Sequence, residues 1–153
     1  LALFWANYLA TSAMVGIIWF VQGVHYPLFH RVGASAFAAY EPAHRIRTTA
    51  VVAGPMLVEA VSAVGLLYAS PPWLPAQGVY VGLGLVAVAW LITAAVSVPD
   101  HGRLTQGYQP AVVEHLVGWN WVRTVAWTLR WLILTGALMA FVTAATHQAT
   151  SGF

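Results

Sequence analysis

The residues of this 153-residue chain best suited to chemistry are its histidines and one Glu-x-x-His pair. His25, His44, His101 and His115 can each offer a neutral imidazole nitrogen to Cu, Fe, Zn or haem iron. Glu41-Pro42-Ala43-His44 has the spacing by which carboxylate-bridged di-iron bundles place Glu and His on one helix face. Such centres need a second pair and further carboxylates, and the chain has four acidic residues in all. A mononuclear or His-rich site therefore suits the inventory better. Asp100 and Glu41 are further ligands, or they hold an imidazole through its other nitrogen. No cysteine and no lysine occurs, which excludes thiolate metal sites, disulfides, thiol nucleophiles and Schiff bases.

These side chains need elements to carry them, and composition says which. Hydrophobic residues make up 60% and charged residues 7% of the chain, against roughly 25% charged in an average globular chain. Such a chain cannot cover a soluble domain's surface with charge. Disorder is excluded as well, and no nucleic-acid partner is expected. The expected fold class is all-α: an integral membrane four-helix up-down bundle forming a single domain over 1–153. A spanning helix needs about 20 mostly apolar residues. Four stretches qualify, at about 3–29, 35–69, 74–98 and 110–146. The second and fourth are expected to extend beyond the bilayer on one side, since the fourth alone reaches about 55 Å at 1.5 Å per residue. Pro110 suits a first helical position. Gly54-Pro55 is expected to kink the second helix, Pro42 to bend it, and Pro99-Asp100-His101-Gly102 to end the third. Gly16, Gly54, Gly65, Gly82, Gly84 and Gly136 are expected to permit close helix contacts.

Orientation follows from arginine. Arg31, Arg45, Arg47 and Arg103 fall at the end where the first helix finishes, and the 70–75 connector carries no cation. The positive-inside rule then places that end in the cytoplasm and both termini outside, with a bacterial inner membrane as the expected location. Leu1 is not an initiator methionine, so the natural chain is expected to begin upstream. Trp5 and Trp73 suit one interfacial belt, Trp119 and Trp121 the other.

Polar groups are costly in lipid and should face the bundle interior. At 100° per residue, Asn7, Thr11, Gln22 and His25 share a stripe on the first helix. Glu41, His44, Thr48, Glu59 and Ser62 share one on the second, Thr93, Ser97 and His101 on the third. Asn120, Arg123, Trp127 and Arg130 share a face of the fourth, with His115 inward and Glu114 outward. In an up-down bundle His25, His44, His101 and His115 then occupy one layer, one from each helix. His30 is expected in a loop and His147 in the tail. Glu59 and Arg130 fall at a common level about 22 Å deeper. They serve a cofactor together with Trp127, or they form a buried ion pair that fixes helix register. Trp127 would stack on a flat ligand or simply pack. Arg123 is an alternative partner for Glu59, or with Asn120 a catalytic group holding an anionic or quinone-like substrate.

Pro99-Asp100-His101-Gly102-Arg103-Leu104, Asn120-Trp121-Val122-Arg123-Thr124 and Trp127-Thr128-Leu129-Arg130 form a wider pattern with His25-Tyr26-Pro27, His44-Arg45 and Gly54-Pro55-Met56. Over most of its length the chain resembles a group of uncharacterised small bacterial four-helix integral membrane proteins. More distantly it resembles the anthrone oxygenase-like membrane family. That resemblance implies a compact four-helix bundle and oxidation of an apolar aromatic substrate.

Three functions are compatible with these residues. The first is a metal- or haem-dependent membrane oxidoreductase acting on an apolar or quinone-like molecule. The second is a non-enzymatic cofactor- or pigment-binding subunit of a larger membrane complex or homo-oligomer. The third is a cofactor-free oxygenase with one His as base. A transporter is less attractive, because four helices without an internal repeat lack a two-halves architecture.

Overall fold

A computed structural model describes residues 1–151, which are almost entirely helical, with no strand among the described residues. Four helices are long and apolar enough to cross a membrane: Ala2–Arg31, Ala34–Ala69, Ala76–Leu104 and Pro110–Ala149. The fourth continues to Ser151. Short connectors join them. Gly33 and Gly107, the positive-φ residues (84° and 132°), make the two turns at the histidine-rich end. A side chain at either position would be strained. Ser70 is extended (ψ 145°), as a residue before proline should be, and it ends the second helix.

Two local expectations are corrected. The Pro99–Gly102 stretch does not end the third helix, which runs on to Leu104. Thr93–Ser97 forms a π-helical turn, and a further α-helix, Val98–Leu104, starts directly after it. Pro99 therefore sits in that helix's first turn, where its missing N–H matters little. Of the glycines expected at close contacts, only Gly65 and Gly82 are crowded. A Cβ at Gly65 would lie 3.0 Å from Leu3, and one at Gly82 would lie 2.6 Å from Arg130 Nη1. Gly16, Gly54, Gly84 and Gly136 face open space.

Side-chain contacts tie neighbouring helices with residue numbers running in opposite senses. Asn7 meets Ser62, Thr11 meets Glu59 and His25 meets His44 between the first two helices. Ser97 meets Arg123 and Asp100 meets His115 between the last two. Tyr8 meets Thr135 and Gln22 meets Asn120 between the first and fourth. Glu41 to His101 links second to third.

The interior alternates between apolar and polar levels. Phe4, Leu66, Leu74, Val79 and Leu134 pack at one end. Met14, Ile18, Met56, Ala89 and Trp127 fill the middle. Tyr26, Phe29, Phe37, Leu104, Val113 and Leu116 belong to the cluster at the histidine-rich end. Polar groups gather around Glu59 between the first two clusters and around His44 between the last two. The outer surface is apolar: Leu9, Val61, Tyr80 and Leu91 are 63%, 71%, 67% and 65% exposed. That surface suits lipid, where packing and interhelical hydrogen bonds, rather than the hydrophobic effect, hold helices together.

Candidate metal centre

Two departures from α-helical winding sit beside the polar level at the histidine-rich end. Val21–His25 is a π-helical turn, closed by an i→i+5 bond from Tyr26 N–H to the Val21 carbonyl (3.0 Å). Thr93–Ser97 is the other. Single π turns inside α-helices frequently mark functional sites. The first precedes Tyr26 and carries His25. The second sets the rotation of the helical turn that bears Asp100 and His101.

Glu41, His44 and His101 converge, with one potential ligand atom from each lying within 4.8 Å of the others. Glu41 is fully buried and His44 nearly so, at 0% and 7% exposed. A carboxylate only accepts, so His101 donates through Nδ1 to Glu41 Oε1 at 2.6 Å. That bond turns His101 Nε2 towards the Tyr26 hydroxyl, 3.0 Å away. His44 Nδ1 lies 2.9 Å from His25 Nε2 and 3.1 Å from Thr48 Oγ1. The other halves of these groups have no protein partner: Glu41 Oε2 and His44 Nε2 are both buried without a hydrogen bond. Leaving such an atom unpaired costs about 1–3 kcal/mol, more for a charged group.

These three residues could hold a metal ion if His101 exchanged its bond to Glu41 or to Tyr26 for the metal. Two imidazoles and a carboxylate suit Zn, Cu or Fe. A three-residue protein set leaves a coordination position open for water or substrate. The flanking bonds from His25 and Thr48 to His44 fix one imidazole's orientation, the arrangement that metal-ligating histidines usually show.

Beside the group lies a cavity of about 130 Å³, lined among others by Tyr26, His44, Arg45, Ser97, His101 and Arg123. Drug-sized ligands occupy pockets of roughly 300–1,000 Å³. The space suits an ion and a small headgroup.

The remaining expected site residues fall into separate groups. His115 does not join the other three histidines: it pairs with Asp100 at 2.7 Å, and its side chain is 50% exposed. Asp100 is also 3.5 Å from Arg103. Arg123 donates from Nη1 to Ser97 Oγ (3.2 Å) and Asn120 Oδ1 (3.1 Å). Asn120 is itself held by Gln22 at 2.7 Å.

Glu59 pairs with Arg130, not with Arg123. Arg130 Nε lies 3.2 Å from Glu59 Oε1, and Arg130 Nη2 donates to Asn7 Oδ1 at 2.7 Å. Thr11 also donates to Glu59 Oε1, and Trp127 Nε1 donates to Oε2, each at 2.7 Å. Both carboxylate oxygens are engaged, which is how a register-fixing pair should look. Trp127 is 1% exposed and packs among Met14, Ile18 and Met56.

Sequence reasoning passed over Tyr26 and Arg45. Tyr26 lies four residues after Gln22, about 40° beyond the edge of the polar stripe at 100° per residue. Arg45 follows His44 directly and had counted only towards topology. Comparison with known protein families, with curated proteins and with solved structures finds no match for this chain.

Proposed function

We propose that the chain is an integral membrane metalloprotein that binds one transition-metal ion through Glu41, His44 and His101. The assignment rests on one observation: Glu41 Oε2 and His44 Nε2 are buried and unpartnered in a group with His101, and His44 and His101 line the neighbouring cavity. A bound Cu, Fe or Zn ion would supply Lewis-acid chemistry there and, for Cu or Fe, electron transfer. The chain's own part is to hold and shield the ion. His25 and Thr48 orient His44, and Tyr26 faces His101. The apolar clusters above and below keep bulk water away. The buried setting favours an oxidoreductase acting on an apolar or quinone-like molecule drawn from the bilayer.

The antiparallel contacts support an up-down order. The lengths of the second and fourth helices support their extension past the bilayer at the histidine-rich end. The arginines there support a cytoplasmic placement of that end, in a bacterial inner membrane with both termini outside.

Elemental analysis of purified protein tests the metal directly. About one equivalent is expected in the wild type, and substoichiometric traces in His44→Ala and in His101→Ala. Full occupancy in both variants, with folding intact, overturns the assignment.

A further inference from the structure

Among the described residues, the polar lining of the cavity is cationic or neutral. Arg45 and Arg123 both border it, and neither has a carboxylate partner. Arg123 is 6% exposed, and its Nε is buried without a hydrogen bond. The groups around it are neutral: Ser97, Asn120, Tyr26 and the Trp127 ring, whose centroid is 5.2 Å from the guanidinium carbon. The bundle's other interior guanidinium, Arg130, has its own carboxylate. A buried charge with no counter-charge is expensive. Gln22 holds Asn120, and Asn120 in turn fixes Arg123, so the guanidinium is kept in place rather than free to reach water.

The cavity's outer wall shows how a ligand would enter. Thr49 and Val52 of the second helix and Thr93 and Val98 of the third line it, and Thr49 and Val98 lie on the molecular surface. The mouth therefore lies between these two helices, on the apolar flank. A volume of about 130 Å³ holds only about four waters' share of liquid at ≈ 30 Å³ each. A large molecule can place its head inside but must leave its tail outside.

We propose that Arg123 is the anchor of an anion subsite for an amphiphile. Such a ligand carries a single negatively charged oxygen headgroup, carboxylate or aryloxide, on an apolar body that stays between the second and third helices and the surrounding lipid. Arg45 at the rim adds a second positive charge. The inference deepens the proposed function by naming the class of molecule brought to the metal centre, and it rests on that reading for its catalytic meaning only.

The test uses full-length protein in lipid nanodiscs and three probes with similar tails: laurate, a long-chain nitrophenolate and dodecanol. At saturation, one or both anions should raise the unfolding midpoint by about 5 °C, and dodecanol by no more than about 1 °C. Whichever anion acts identifies the headgroup as carboxylate or aryloxide. Arg123→Gln should remove the difference between anion and alcohol, and Arg123→Lys should retain part of it. Equal responses of the wild type to all three probes overturn the inference, and so does an Arg123→Gln protein that responds as the wild type does. Should Arg123→Gln fail to fold, the wild-type comparison still decides. Metal content measured on the same samples separates the two proposals. Protein that discriminates laurate from dodecanol but holds no metal supports the anion subsite and sinks the metal centre. Metal-loaded protein that ignores charge does the reverse.

Discussion

Two polar levels share the interior of one small bundle, and they are built to different standards. Around Glu59, each carboxylate oxygen has a donor, and Arg130, Asn7, Thr11 and Trp127 complete the set. Around His44, the same kinds of groups are left half-finished: Glu41 Oε2, His44 Nε2 and Arg123 Nε have no partner. The deeper level spends its hydrogen bonds on the protein itself. The other leaves donors and acceptors without a partner in the protein. Buried polarity alone does not mark a site in a membrane bundle; Trp90 Nε1 is also unpartnered but lies alone beside the middle apolar cluster, whereas the three open atoms here gather beside one cavity.

The comparison breaks most visibly at Glu59. Glu59→Gln leaves Arg130 uncompensated in the interior and should destabilise the protein by about 3–5 kcal/mol. Thermal or denaturant unfolding in nanodiscs measures that loss, while metal content stays at the wild-type level. Replacing both partners by Met should recover most of it, because the desolvation cost disappears with the charges. A Glu59→Gln protein of normal stability that loses its metal would reverse the roles of the two levels.

A smaller effect sharpens the boundary of the metal centre. His25→Ala removes only an orienting contact to His44 and should weaken metal binding by about 10–100-fold in a competitive chelator titration. His115→Ala should leave affinity within about twofold, since its imidazole faces Asp100 at the half-exposed edge. Equal losses from both would restore the four-histidine layer.

A last pair of effects comes from two neighbouring glycines. Gly82→Ala would drive a methyl against Arg130 Nη1 at 2.6 Å and should cost about 1–3 kcal/mol. Gly84 faces open space, so Gly84→Ala should be stabilising by about 0.5–1 kcal/mol. Paired unfolding curves of the two variants show whether the deep network tolerates any displacement.

Much of this was legible in the chain itself. The 3.6-residue period placed Asn7, Thr11, Glu59, Ser62 and Arg130 on inward faces. Counting rise per residue put Glu59 and Arg130 at one depth, because the second and fourth helices are continuous α-helix there. The same arithmetic was weaker near the histidines. It assumed unbroken α-helices, and the π turns at 21–25 and 93–97 each rotate the residues beyond them. Asp100 thus reaches His115 while His101 reaches Glu41 and Tyr26. Depth puts four histidines towards one end, but depth does not say which imidazoles meet. The cavity was invisible for a similar reason: a void belongs to the packing of several helices and to no single stripe.

The π turn at Val21–His25 carries a consequence for how such a chain can change. Each π turn accommodates one residue more than the α-helix it interrupts. Deleting a single residue there would restore regular winding with little change downstream, whereas deleting one from an uninterrupted α-helical turn would swing everything beyond it by about 100°. The π turn can thus lose one codon of length and keep the line from His25 to His44, which a deletion in the α-helical turns before it would break.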